Sequence, residues 1–191
     1  MSDKKFFISK LISTFFYVGS SSKICPGTFG SIATLPLWII LSLITTKLNL
    51  GQFSIPFILL FILLLYFVGE ISTKYYMEIT KKKDPSEVVI DEVIGQLLAL
   101  FITSVLISFS TNKVNAILEC ECVGLKNMLT TFLLITPVIL FRIFDITKPN
   151  IIGYIDKNIE TARGVMLDDV FAGLFAGIVN VILMLIFFLF I

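Results

Sequence analysis

A chain of 191 residues with 57% hydrophobic and only 15% charged side chains lies beyond the roughly 45–50% apolar usage of soluble domains, and its mean hydropathy of +0.97 agrees: this composition belongs to a membrane protein. Fifteen basic and 14 acidic residues leave a formal charge of +1, which gives no electrostatic reason to expect nucleic acid as a partner. Histidine is absent, so Ser-His-Asp triads, His-dependent phosphatases and His-ligated zinc sites are excluded. Cysteine does not fill the gap. Cys25, Cys120 and Cys122 form no CxxC pair, and six residues beyond them stand Ser31, Lys126 and Met128, where a cysteine phosphatase needs Arg to cradle phosphate.

The length fits one domain over residues 1–191. The pattern predicts an all-α, polytopic helical membrane protein with about five spanning helices and an N-terminal amphipathic helix. In that first helix Phe6, Phe7, Leu11, Phe15 and Phe16 are surrounded by Lys4, Lys5 and Lys10, which suits a membrane surface or the side of the bundle. No small-residue cleavage site follows, so it does not read as a signal peptide. Pro26, Gly27 and Gly30 punctuate Pro-Gly-Thr-Phe-Gly-Ser, and this stretch is expected not to be ordinary helix. Thr28 and Ser31 there suit either a phosphate approaching backbone amides at a helix N-terminus or a simple cap. The apolar run 32–46 is slightly short for a span and needs its flanks.

The second span, residues 53–69, is solidly apolar and gives way to a polar segment. Lys81, Lys82 and Lys83 fit a solvated face or anionic headgroups, and Asp84-Pro85-Ser86 marks a turn into a new helix. Asp91 and Glu92 lie at the membrane boundary of that helix, with Gly95 one turn on to admit another backbone. They can be read as a helix cap, but the apolar neighbours VVI and VIG draw them towards the core. Residues 110–126 are expected to be a loop. The fourth span, 127–141, runs into Arg142 and Asp145; Lys148-Pro149 then breaks the helix, and Ala162-Arg163-Gly164 is expected to turn. Asp168 and Asp169 stand at the mouth of the last span, 170–191, which carries Gly173 and Gly177 at GxxxG spacing.

Positive residues orient the chain. With the N-terminus in the cytoplasm, that face holds Lys4, Lys5, Lys10, Lys23, Lys74, Lys81, Lys82, Lys83, Arg142, Lys148, Lys157 and Arg163, against Lys47, Lys113 and Lys126 outside. The same face then collects residues 26–31, Asp91, Glu92, Asp145, Asp168 and Asp169. Adjacent carboxylates at the mouth of an apolar helix repel each other and resist desolvation, and a divalent metal would offset both. An all-oxygen set favours magnesium, with manganese as the alternative. Arg142, Lys148 and Arg163 are cations suited to phosphate oxygens. A phosphorylated lipid whose tails stay in the bilayer is the substrate class this arrangement suggests.

Together ICPGTFGS, VVIDEVIGQ, FRIFDITKP, and IDKN with GVMLDDVFAG resemble, in order, the signature blocks of the phosphatidylglycerophosphatase A family, from about residue 14 to 180. The resemblance implies a magnesium-dependent, membrane-embedded helical enzyme that hydrolyses phosphatidylglycerophosphate to phosphatidylglycerol and phosphate in phospholipid biosynthesis. It implies a multi-pass protein of the bacterial cytoplasmic (inner) membrane with its active site facing the cytoplasm. Carried onto this chain, it makes Asp91, Glu92, Asp145, Asp168 and Asp169 catalytic. Asp91, Glu92, Asp168 and Asp169 would be the metal ligands, and Thr28, Ser31, Arg142 and Lys148 would contact substrate. Homo-oligomerisation is left open. A CDP-alcohol phosphatidyltransferase fits poorly, because Glu160-Thr161 precedes Ala162-Arg163 where Asp-Gly is needed and the later aspartates are adjacent rather than spaced. A transporter should place acids near mid-membrane and show repeated halves, and neither feature is visible.

Overall fold

Every long apolar run becomes helix, and most of the helices outlast the run. The computed structural model describes residues 3–21, 24–109, 111–120 and 122–190; Lys23, Ser110, Glu121 and Ile191 lie outside the described residues. Within them the main elements are α1 (Asp3–Ser13), α2 (Pro26–Lys47), α3 (Ser54–Thr80), α4 (Ile90–Phe109), α5 (Thr111–Glu119), α6 (Val123–Thr147), α7 (Ile151–Asn158) and α8 (Ala162–Leu189), and no strand occurs. Among the described residues four segments are long and apolar enough to cross a membrane: α2, Gly51–Thr80 containing α3, α6 and α8. The remaining expected span, α4, has 20 residues, about 30 Å of helix and so the thickness of a bilayer core. It packs against α2, α3, α6 and α8, with Val93, Ile94, Leu97, Ala99 and Leu100 buried. Leu60, Leu64, Phe67 and Ile71 of α3 face outwards, as lipid-facing side chains do.

Several boundaries differ from those expected. Residues 26–31 form the first turns of α2 rather than a non-helical loop: Pro26 sits at the first helical positions, where its missing N–H is not needed. Residues 162–164 open α8 instead of turning before it, so Asp168 and Asp169 lie in its second turn. The helix expected from Ser86 begins at Ile90. Residues 111–119 are helical rather than loop, because Val114 and Ile117 are buried with Leu129, Met184 and Phe188. The N-terminal helix packs on α3, where Phe6 stacks on Tyr76 with ring centroids 6.1 Å apart. Phe15, Phe16 and Tyr17 then run through positive φ, turning the chain back. The Ser13 carbonyl accepts from the Val89 N–H at 3.0 Å, which fixes where α4 starts.

Two features hold α4 against α8. A methyl group on Gly173 would overlap the Gly95 carbonyl, one on Gly95 would overlap the Asp169 carbonyl, and one on Gly177 would lie 2.8 Å from Ile102 Cβ. The backbones therefore touch, as small-residue crossings in membranes allow. Deeper in, the Asn180 amide donates to Thr103 Oγ1 at 3.0 Å and to the Phe132 carbonyl at 2.8 Å. Phe132 belongs to a π-helical stretch, Thr131–Ile135. Asn180 thus ties α4, α6 and α8 together in apolar surroundings.

Overpacking the crossing should be costly. Gly95→Val and Gly173→Val are each expected to destabilise by on the order of 3 kcal/mol, read as thermal unfolding in detergent. Gly124→Ala, with nothing within 4 Å, should stay within about 0.5 kcal/mol. Equal unfolding temperatures for all three would contradict the crossing.

Candidate active site

The first turns of α2, α4 and α8 and the last turn of α6 meet at one end of the bundle, around a cleft of about 660 Å³. Among the described residues eight acidic and three basic side chains line it, so acids outnumber cations in its walls. Asp91 and Glu92 occupy the first turn of α4, and Asp169 comes from α8 across the Gly95 contact. One carboxylate oxygen from each of these three lies within 4.8 Å of the others. Asp91 and Asp169 are buried, and Glu92 Oε2 and Asp169 Oδ1 are buried without a hydrogen-bond partner among the described residues. Unpartnered carboxylate oxygens at this spacing fit a cation with oxygen ligands, and the group can hold a metal ion.

The nearby cations are already engaged by other carboxylates. Arg142 Nη1 lies 2.5 Å from Asp145 Oδ2, a charge contact without hydrogen-bond alignment, and its Nε has no hydrogen-bond partner among the described residues. The guanidinium also borders Gly27, where a methyl group would overlap the Glu92 carboxylate and lie 2.9 Å from Nη1. Glycine at 27 therefore lets α2 close over this pair. Lys148 takes a left-handed conformation at the end of α6 (φ 43), which throws its side chain back across the cleft. Its ammonium donates to Asp156 Oδ1 at 2.5 Å and to Asp168 Oδ2 at 2.8 Å. Burial works against the charge, but the hydrogen bonds to Asp156 and Asp168 outweigh it and hold this lysine above its ordinary pKa.

The candidate residues fall into distinct places. Asp91, Glu92, Asp145, Asp168, Asp169, Thr28, Arg142 and Lys148 all line the cleft. Asp168 stands apart from the Asp91, Glu92 and Asp169 group and pairs with Lys148. Consecutive helical residues point about 100° apart, so the two adjacent aspartates serve different neighbours. Ser31 is buried in α2 and its hydroxyl donates to the Gly27 carbonyl at 3.1 Å, away from the cleft lining. Arg163 also lies outside that lining; its Nε donates to Glu70 at 3.0 Å. Asp156 was not anticipated. Its signal was a lone acid in a short amphipathic segment soon after the helix-breaking Lys148-Pro149. At the rim, Lys83 pairs with Glu160.

No solved structure matches the chain. Phosphatidylglycerophosphatase A of Escherichia coli is 27% identical over 156 residues, 82% of this chain and 72% of that protein. A Bacteroides thetaiotaomicron protein, provisionally named a phosphatidylinositol-3-phosphatase, is 29% identical over 177 residues, 90% and 91% of the two chains. Phosphatidylglycerophosphatase A of Haemophilus influenzae is 52% identical over a local stretch of 40 residues, 21% of this chain and 24% of that protein. The family model for phosphatidylglycerophosphatase A matches residues 11–184, and the chain belongs to that family.

Proposed function

We propose that this protein hydrolyses the phosphate monoester of phosphatidylglycerophosphate, releasing phosphatidylglycerol and inorganic phosphate, with Mg2+ held by Asp91, Glu92 and Asp169. The observation that carries the reading is the buried carboxylate group with unpartnered oxygens, set beside Arg142 and Lys148 in a chain of this family. Magnesium, when bound, supplies positive charge against the phosphate oxygens and favours attack by water. Water oxygen forms the new bond to phosphorus, the bond to the glycerol oxygen breaks, and that oxygen takes up a proton.

The chain's own groups divide the remaining work. Arg142, on the cleft wall, donates to non-bridging phosphate oxygens. Lys148 keeps its proton and acts as fixed charge rather than as an acid. Asp168 and Asp156 aim that ammonium from two sides, and Asp145 holds the guanidinium. The Thr28 hydroxyl, on the cleft wall, is a further donor to the headgroup. The name of the Bacteroides relative points to phosphatidylinositol 3-phosphate, so both lipids belong in the assay. The distribution of basic residues supports a cytoplasmic cleft in a bacterial inner membrane.

Replacing one carboxylate separates metal binding from stability. Asp169→Asn should lose at least about 100-fold in phosphate release from phosphatidylglycerophosphate. Saturating Mg2+ should raise the unfolding temperature of the parent protein but not of this variant. In EDTA the order should reverse, with Asp169→Asn unfolding at the higher temperature because a buried repulsion has been relieved. Asp168→Asn should lose activity while keeping the Mg2+ shift. Full turnover in EDTA, or an unchanged magnesium shift in Asp169→Asn, would contradict the assignment.

Orientation has its own test. Cys25 borders the cleft, and Cys122 is exposed at the opposite end of α6. A membrane-impermeant maleimide added to intact spheroplasts should modify Cys122 and spare Cys25. The opposite pattern would place the cleft outside.

A further inference from the structure

A second recess, of about 280 Å³, lies deeper between α2, α4 and α6, lined by Trp38, Ser42, Leu100, Ser104 and Leu134 among others. The hydroxyls of Ser42 and Ser104 donate to carbonyls of their own helices, Trp38 at 2.9 Å and Phe101 at 2.7 Å, so the walls offer mainly apolar surface. The same helix faces connect it to the charged cleft. On α4, Glu92, Gln96, Leu100 and Ser104 follow at four-residue spacing, each about 6 Å deeper than the last. On α2, Thr28, Leu35 and Ser42 recur every seventh residue and share a face. On α6, Leu134 lies two turns, about 12 Å, from Arg142. The recess thus spans depths of about 12–21 Å below the cleft along the three helices, well inside the hydrocarbon layer of a bilayer.

On α4, between Glu92 of the cleft lining and Leu100 of the recess lining, stands Gln96. It is fully buried, and neither its amide nitrogen nor its oxygen has a hydrogen-bond partner among the described residues. A buried amide without a partner is costly in apolar surroundings, and helical spacing sets it on the side of α4 between the Glu92 carboxylate and Leu100. About 6 Å below the carboxylates is where the glycerol esters of a lipid would lie if its phosphate were in the cleft.

We propose that this face of α4, flanked by α2 and α6, is the seat of the glycerolipid body: the Gln96 amide donates to an ester carbonyl and one acyl chain fills the recess beside Trp38. The proposal rests on the reading that the cleft takes a lipid phosphate and extends it to recognition of the diacylglycerol portion. No covalent step is involved. Its occupant follows from continuity: the helices that line the cleft with Thr28, Glu92 and Arg142 line the recess with Trp38, Leu100 and Leu134, so a lipid phosphate in the cleft directs its chains along the same helices.

Trp38 is the only tryptophan in the chain, so its fluorescence reports on the recess directly. In a non-brominated detergent, phosphatidylglycerophosphate with brominated acyl chains should quench Trp38 saturably, and the same lipid without bromine should reverse the quenching. Ser104→Phe, which fills the recess, should abolish the saturable quenching. Ser42→Phe from the facing wall serves if the first variant does not fold. Gln96→Leu should require about tenfold more lipid for half-quenching, the scale of one lost hydrogen bond to a buried partner. Brominated phosphatidylcholine quenching as strongly, or no saturable quenching by the phosphorylated lipid, would overturn the proposal. Saturable, competable quenching without phosphate release would leave the seat standing and refute the phosphatase reading instead.

Discussion

The backbone contact between Gly95 and Gly173 is the constraint on which the site depends. Within lipid there is no hydrophobic drive to press one helix against another, so close approach, dispersion and interhelical hydrogen bonds must do it. The missing side chains let α8 lie directly on α4, and the Asn180 amide fastens the same pair deeper in the bundle. Because the Asp169 carbonyl itself rests on Gly95, a carboxylate oxygen of this residue arrives within 4.8 Å of oxygens of Asp91 and Glu92. Packing therefore forces together three groups that repel. A cation at their centre would turn that repulsion into cohesion, and this is the physical content of the proposed magnesium site.

Around that centre each of the two cations pairs with a carboxylate outside the three. Lys148 is shared by Asp156 and Asp168, and Arg142 is held by Asp145. Each cation keeps a carboxylate at its back, which orients it and limits its collapse onto the three central acids. A phosphate placed between them would meet positive charge from several sides, the arrangement that stabilises charge developing in phosphoryl transfer. Asp168 and Asp169 have different neighbours despite their adjacency, since one pairs with Lys148 at the end of α6 and the other lies beside Asp91 and Glu92 of α4.

The sequence was most legible where a single residue type has few uses. Runs such as residues 53–69 admit only a spanning helix, and Gly95 and Gly173 announce close approach because nothing larger fits. Carboxylates set against apolar runs stood out for the same reason, since Asp91 and Asp169 have no cheap place in a membrane protein. What stayed hidden depends on partners distant in the chain. Residues 111–119 look like loop until Leu129, Met184 and Phe188 cover Val114 and Ile117. Asp156 gains meaning only when α7 folds back and Lys148 turns left-handed to reach it. Ser31 has the chemistry of a phosphate ligand, but the helix it joins turns its hydroxyl onto Gly27. Local composition cannot report the direction of a side chain.

The central claim is that Asp91, Glu92 and Asp169 together hold the divalent ion that the chemistry needs. Manganese, a paramagnetic substitute for magnesium at oxygen sites, allows this to be measured without turnover, by electron paramagnetic resonance of the purified protein in detergent. The account predicts saturable Mn2+ binding that Mg2+ displaces, that survives in Asp145→Asn, and that is lost in Glu92→Gln. Undiminished, Mg2+-competable binding in Glu92→Gln, or no bound ion in protein that hydrolyses the lipid, would contradict it.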